Sequence, residues 1–168
     1  LPKYAGVDAN TGEALYYKDT YEMTAAGTPK LDDNGQPIVS GRTTVKKSSE
    51  ATEYLCGTAL PDAYGGFGTS LTWKGFDFSV DFAYQLGGQV FDGNYQSMMV
   101  LNRGGNLHKD ILGAWSATNK NSSIPRLQYN DQYTASSSDR WLTSASYLSL
   151  QNVSFGYTLP RQVVSKIG

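Results

Sequence analysis

Apolar and polar residues alternate without interruption from position 76 to position 86. Large apolar residues occupy every even position of this segment, and small or polar residues occupy every odd one. Because successive side chains of a β-strand point to opposite faces, the pattern predicts a strand with one apolar and one polar face. At about 3.3 Å per residue, the strand would extend over roughly 35 Å, which suits a tilted crossing of a bilayer.

The preceding residues 65–73 alternate in the same way and are joined to this strand by Lys74 and Gly75 alone. A two-residue connection is typical of a β-hairpin and fixes the register, so that Trp73 faces Phe76 and both apolar sets lie on one side. These two aromatic residues would lie in the aromatic belt at a membrane interface. We predict a membrane hairpin over residues 65–86, whose lipid-facing side chains are Phe67, Leu71, Trp73, Phe76, Phe78, Val80, Phe82 and Tyr84.

The opposite face of the hairpin is too polar for lipid, because an unpaired charge in a bilayer costs several kcal/mol. We therefore expect it to line a lumen, where its groups are solvated, bond to a plug or contact substrate directly. The lumen-facing candidates are Asp77, Ser79, Asp81 and Gln85. The alternative is a soluble, carbohydrate-binding β-sandwich that buries the apolar face against a second sheet.

The first third of the chain is less regular. Residues 4–7 and 13–18 predict two short strands around a turn-rich segment. Residues 19–50 are polar and predict a loop or a small hairpin excursion, in which Asp32 begins a turn that is a poor calcium loop. Residues 51–57 predict a further strand.

Residues 87–145 form a long excursion, rich in Asn and Ser, of the length found on the extracellular side of a barrel. Within it, the spacing of apolar residues predicts a helix over 107–115, with Leu107, Ile111, Leu112 and Trp115 on one face. Residues 147–159 predict a last strand, whose apolar parity changes at Gln151, either at a bulge or where the strand leaves the bilayer. Residues 161–167 predict a short helix.

Composition narrows the function. With 17% charged residues and a net charge of −1, the chain has no basic footprint for nucleic acid, and it has no apolar run long enough for a membrane helix. A single cysteine, Cys56, and a single histidine, His108, offer no metal site, no nucleophile with its base and no cofactor site. Asp77 and Asp81 would lie about 13 Å apart on one strand, too far for a glycosidase pair, so we expect no enzyme and no catalytic residue.

The number of strands indicates part of a larger protein. Five or six predicted strands are fewer than the roughly eight that a closed single-chain bacterial barrel needs. The fold class we expect is therefore all-β, a fragment of a transmembrane antiparallel β-barrel. A further strand is expected after Gly168, and an export signal would lie upstream of Leu1 or have been removed.

Five motifs in sequence order resemble the C-terminal part of the barrel in SusC-like TonB-dependent outer-membrane transporters of Bacteroidetes. They cover nearly all of the chain except residues 19–50. The motifs are Tyr4-Ala5-Gly6-Val7-Asp8 with Thr11-Gly12-Glu13, Leu60-Pro61 with Tyr64-Gly65-Gly66-Phe67-Gly68, Trp73-Lys74-Gly75-Phe76-Asp77 running to Ala83-Tyr84-Gln85-Leu86-Gly87-Gly88, His108-Lys109-Asp110 to Trp115 with Ile124-Pro125-Arg126, and Ala145-Ser146-Tyr147-Leu148 through Asn152 to Pro160.

The resemblance implies a 22-stranded barrel, of which this chain supplies the last third or less, with the plug domain and the TonB-binding segment upstream. It also implies active import of nutrients, usually glycans and sometimes peptides, under a SusD-like surface lipoprotein, with energy from the TonB complex. The long loop carries aromatic residues that would stack on sugar rings or a partner protein, or else pack their own loop. These loop candidates are Tyr95, Trp115, Tyr129, Tyr133 and Trp141.

Overall fold

The computed structural model describes residues 1–101, 105–131 and 133–165 of the chain. Within them no helix is long and apolar enough to cross a membrane. The strands are β1 Tyr4–Val7, β2 Ala14–Tyr21, β3 Val39–Val45, β4 Ala63–Trp73, β5 Phe76–Leu86, β6 Gln89–Phe91, β7 Leu142–Ser144 and β8 Tyr147–Tyr157. The helices are α1 Gly93–Met98 and α2 Arg161–Val164, with short 3₁₀ helices at Ser48–Glu50, Lys109–Gly113 and Asp139–Trp141.

The chain divides into two compact units. The first, which we call the loop unit, comprises residues 1–56 and 91–142. The second, which we call the sheet unit, comprises residues 57–90 and the chain from residue 143 onward.

The sheet unit is built on an antiparallel sheet in the order β4-β5-β8. The predicted hairpin is confirmed with its register, because Trp73 pairs with Phe76 and the ladder continues to Ala63 opposite Leu86. Lys74 (φ 48°) and Gly75 (φ 90°) both have left-handed backbone, as a type I′ turn requires. This turn matches the twist of the two strands, and the two-residue connection therefore fixes which side chains share a face.

The last strand carries a bulge at Gln151. Asn152 pairs with Asp81 and Leu150 pairs with Phe82, so Gln151 is the extra residue between two regular stretches of ladder. The change of apolar parity in the sequence is thus a bulge, and Leu150 returns to the same face as Phe82.

The loop unit contains the antiparallel sheet β1-β2-β3. The second predicted strand continues to Tyr21 and pairs with β3, so the polar residues 19–50 contain a hairpin excursion. At its tip the Asp32 carboxylate accepts hydrogen bonds from the backbone N–H groups of Asn34 (2.9 Å) and Gln36 (2.8 Å), which makes this segment a turn.

Two predictions for the loop unit are wrong. Residues 51–57 form no strand. They make an isolated antiparallel bridge, Glu53 opposite Pro2, in which Leu1 and Tyr54 exchange two hydrogen bonds, while the Thr52 N–H bonds to the Tyr17 carbonyl. The helix predicted over 107–115 is a 3₁₀ helix over Lys109–Gly113. It ends early because the Trp115 N–H bonds to the Ile124 carbonyl (2.8 Å).

The core of the loop unit consists of Met99, Ile111 and Trp141, with Tyr95, Leu107 and Ile124 packed against it. Leu112 is 90% exposed, so the single apolar face expected for residues 107–115 does not form. The short helix after β8 begins at Arg161 as expected, but residues 166 and 167 of the prediction lie outside the described residues.

Candidate functional site

One face of the β4-β5-β8 sheet is lined by large apolar side chains in cross-strand rows. The rows are Trp73-Phe76-Tyr157, Leu71-Phe78-Phe155, Thr69-Val80-Val153, Phe67-Phe82-Leu150 and Gly65-Tyr84-Leu148. Ring centroids lie 5.1 Å apart for Phe67 and Phe82 and 4.4 Å apart for Phe76 and Tyr157. Gly65 leaves room for the Tyr84 ring, whose hydroxyl lies 3.2 Å from where a Cβ would be. All eight side chains predicted to face lipid are on this apolar face.

The apolar face is exposed within the sheet unit. Phe67 is 56%, Leu71 is 64% and Phe155 is 68% exposed. Contiguous apolar patches of this kind are rare on soluble monomers and mark contact with a membrane or a partner. The apolar face of the sheet therefore requires an apolar environment.

The opposite face is polar and internally hydrogen-bonded. The Thr72 hydroxyl donates to the Asp77 carboxylate (2.8 Å), and the Asn152 carboxamide donates to the Asp81 carboxylate (3.2 Å). The Asp81 carboxylate lies over Gly68, where a Cβ would collide with it. These bonds hold both carboxylates along the sheet surface.

The remaining two lumen-facing candidates belong to the same polar surface. Ser79 stands between Ser70 and Ser154 in one cross-strand row. The Gln85 carboxamide lies near the end of β5 and donates to the Ala145 carbonyl (3.3 Å). The sequence thus predicted all four residues on one face, and the structure adds the neighbours that pair them.

A half-buried cation lies among the aromatic rings of the loop unit. The Arg140 guanidinium lies over the rings of Tyr4 (5.0 Å) and Trp141 (4.5 Å), and burial lowers the pKa of Arg140 from its ordinary value. Burial raises the pKa of Tyr16 to about 12, and the Tyr16 hydroxyl donates to the Tyr133 carbonyl. Arg140 and Tyr16 therefore serve to pack the loop unit.

His108 lies at the start of the Lys109–Gly113 3₁₀ helix. Its Nδ1 accepts from the Asp110 N–H (3.3 Å) and so caps the helix. Nδ1 also lies 3.3 Å from the Asp110 carboxylate in this non-α-helical turn. Tyr95 completes the cluster, since its hydroxyl donates to Asp110 (3.0 Å) and its ring meets His108 edge-on. The described residues contain no metal-binding group of three His, Cys, Asp or Glu side chains.

The five aromatic candidates of the long loop separate by burial. Trp141 is 1% exposed and packs its own loop, which is one of the two roles expected for these aromatic residues and leaves no surface for a substrate or partner. Trp115 packs over Gly12 (φ 73°), where a Cβ would collide with its ring, and its indole N–H donates to the Ala9 carbonyl (3.1 Å). With Tyr95 in the core, Tyr129 and Tyr133 are the candidates that remain exposed, at 49% and 41%.

The loop unit also contains a polar cleft that sequence reasoning missed. It has a volume of about 260 Å³ and is lined by Glu13, Arg126, Gln128, Asn130, Asp131 and Tyr133. Residues from the start of β2 and from the long loop meet here although more than a hundred positions separate them. No local pattern signals such a site, although Tyr133 had been singled out as an aromatic residue.

An antiparallel sheet with one exposed apolar face and one hydrogen-bonded polar face is the strand arrangement of membrane β-barrels. No family model matches the chain. Two proteins of Formosa agariphila are similar in sequence: TonB-dependent receptor P3 is 33% identical over 120 residues, and TonB-dependent receptor P26 is 27% identical over 147 residues. The matches cover 71% and 87% of this chain but 12% and 14% of the receptors, so the chain spans about an eighth of their length.

A solved structure, described as the structure of the RagAB peptide transporter, is similar with a TM-score of 0.60 at 27% identity. The similarity covers 98% of this chain and 17% of that chain. The chain belongs to the SusC-like TonB-dependent receptors, and its location is the outer membrane.

Proposed function

We propose that this chain is part of a TonB-dependent importer that takes up nutrients, most favourably glycans, together with a SusD-like surface lipoprotein. The apolar face of β4-β5-β8 contacts outer-membrane lipid, and the polar face lines the lumen or touches the plug. Energy comes from the TonB complex, which acts through a region outside this chain. The whole barrel would have 22 strands, of which this chain supplies part.

The observation that carries the proposal is the consistency of the two faces across three strands. The register places apolar residues of all three on one face and hydroxyl, amide and carboxylate groups on the other. A charged side chain at the centre of a bilayer costs about 2–4 kcal/mol, so the face with Asp77 and Asp81 is the one directed away from lipid.

Oligopeptide cargo is the second candidate, and it is favoured by the similar structure described as a peptide transporter. Both candidates need the same lipid-facing sheet. A soluble sandwich would instead need a second sheet over the apolar face, and the family to which the chain belongs argues against it.

Site-directed spin labelling of the full-length receptor in lipid vesicles tests the orientation of the sheet. Single labels go to Leu71 and Val153 on the apolar face and to Ser70 and Ser154, their neighbours on the polar face. Oxygen concentrates in lipid, so we expect it to collide with the labels at Leu71 and Val153 more often than a water-soluble nickel complex does. At Ser70 and Ser154 we expect the nickel complex to collide more often than oxygen. Low collision with both reagents at Leu71 and Val153 would reveal a dry core and overturn the proposal.

A further inference from the structure

The polar cleft of the loop unit has a defined floor. The Arg126 guanidinium donates to the Thr11 carbonyl (2.7 Å) and to the Glu13 carboxylate (3.4 Å), while the Arg126 N–H donates to the Gly12 carbonyl (2.8 Å). The Glu13 carboxylate also pairs with the Lys46 ammonium and accepts from the Thr11 hydroxyl (2.9 Å). These bonds fix the cleft before any ligand arrives.

The acidic groups of the cleft act as hydrogen-bond acceptors. Hydrogen bonds from Lys46 and Thr11 hold the pKa of Glu13 below its ordinary value. The Asp131 carboxylate accepts from the backbone N–H groups of Tyr133 (2.9 Å) and Thr134 (3.2 Å). A free anion is disfavoured in this cleft, because the lining holds two carboxylates and the neighbouring cations, Arg126 and Lys46, are both already paired with Glu13.

The rim of the cleft offers unused hydrogen-bonding groups. Within the described residues, neither the Gln128 nor the Asn130 carboxamide has a hydrogen-bond partner, and both side chains are exposed. Asn130 has a left-handed backbone (φ 60°), a conformation that asparagine adopts more often than most other residues. Each carboxamide can donate and accept at once.

One aromatic side chain completes the cleft. The Tyr133 side chain is 41% exposed. Its backbone is anchored, because the N–H donates to the Asp131 carboxylate and the carbonyl accepts from the Tyr16 hydroxyl. Its ring is therefore placed beside fixed acceptors and free carboxamides without being buried.

We propose that this cleft is a binding subsite for one ring of a neutral oligosaccharide; the proposal rests on the importer function given above. A pyranose ring presents vicinal hydroxyl groups, each a donor and an acceptor, around a face of C–H bonds. The cleft supplies carboxylate acceptors, amide donors and a tyrosine ring in a volume that suits a ligand smaller than a drug-sized molecule.

A peptide fits this chemistry less well. Extended peptides are bound through main-chain ladders at a sheet edge, with apolar pockets for alternate side chains. The cleft offers side-chain groups on loops, and Tyr133 is its one aromatic lining residue. Binding of peptides by the receptor would therefore contradict the proposal.

The test uses the full-length receptor in detergent and isothermal titration calorimetry. The probes are neutral oligosaccharides of glucose, xylose, mannose and galactose with defined linkages, and a set of uncharged tetrapeptides. For the oligosaccharide that binds wild type, we expect Tyr133→Ala to weaken binding about tenfold, since ring stacking contributes up to about 1.5 kcal/mol. Tyr133→Phe, which keeps the ring, should stay within about threefold.

Two further variants control for folding and for general loop effects. Tyr129→Ala removes a nearby exposed tyrosine that does not line the cleft, and it should bind like wild type. Asn130→Gly removes the carboxamide but keeps the left-handed backbone, so a loss of several-fold would report the hydrogen bond rather than strain.

Equal effects of Tyr133→Ala and Tyr129→Ala would overturn the subsite, and so would a wild-type receptor that binds the tetrapeptides or none of the oligosaccharides. The spin-label result is independent of these titrations. Lipid contact at Leu71 with no effect at Tyr133 would refute the subsite alone, whereas a dry core at Leu71 would refute the importer.

Discussion

A lysine introduced at Val80 gives the sharpest test of the lipid-facing sheet. Val80 lies in the middle row of the apolar face, between Thr69 and Val153. A lysine near the bilayer midplane costs about 2–4 kcal/mol, since the charge must be kept in hydrocarbon or drawn out of it at the expense of local bilayer order. We expect Val80→Lys to lower the free energy of unfolding by this amount.

Two matched variants separate charge from packing. Ser79→Lys places the same charge one position away on the polar face, where we expect a loss of about 0.5 kcal/mol or less. Val80→Thr keeps the shape of the side chain and adds a hydroxyl, and should cost about 1 kcal/mol. Because the two lysines share a strand, their difference reports the environment of the two faces.

The assay is equilibrium unfolding by urea of the full-length receptor in phosphatidylcholine vesicles, with folded and unfolded forms separated by their different mobility in detergent gels without heating. Equal losses for Val80→Lys and Ser79→Lys would show that both faces meet the same medium. A larger loss at Ser79 would mean that the faces are assigned the wrong way round.

Two further predictions concern the β2-β3 ladder and the bulge. The Tyr54 hydroxyl and the Arg42 guanidinium (2.8 Å) hold the pKa of Asp19 below its ordinary value, so this carboxylate stabilises the loop unit above about pH 4 and loses that effect as pH falls through its lowered pKa. Hydrogen exchange of residues 14–21, corrected for intrinsic rates, should accelerate as the pH falls through that pKa, and Asp19→Asn should abolish this pH dependence. The same pH dependence in Asp19→Asn as in wild type would contradict the prediction. Deleting Gln151 should leave the receptor folded on detergent gels, because Leu150 and Asn152 on either side of it already pair with the consecutive residues Phe82 and Asp81. An unfolded deletion variant would show that the bulge itself is required.

The hairpin could be predicted from sequence because two independent constraints agree there. The apolar alternation sets the faces, and the Lys74-Gly75 connection sets the register. The parity change at Gln151 was ambiguous for the opposite reason. A bulge and an exit from the bilayer produce the same pattern, and only the partner strand distinguishes them.

The loop unit was less predictable because its local patterns compete with distant hydrogen bonds. Residues 107–115 have helical spacing, but the Trp115 N–H bonds to Ile124 and ends the turn after Gly113. Residues 51–57 have strand-like composition, yet they form one isolated bridge opposite Pro2 and a single bond to Tyr17. Such choices depend on chain segments that meet only in the folded unit.

The two candidate surfaces differ in how strongly each residue is specified. A position on the apolar face such as Leu71 requires apolar character and tolerates several side chains, so alternation alone reveals it. A cleft position such as Arg126 must reach Thr11 and Glu13 at fixed distances. The residues next to Arg126 in the sequence give no indication of these distant partners. Residues of the apolar face can therefore be found by pattern, while residues of the polar cleft have to be found by geometry. Tyr133 illustrates the difference. The sequence suggests only that its ring could make an aromatic contact, whereas the structure shows its exposure and the polar residues that line the cleft with it.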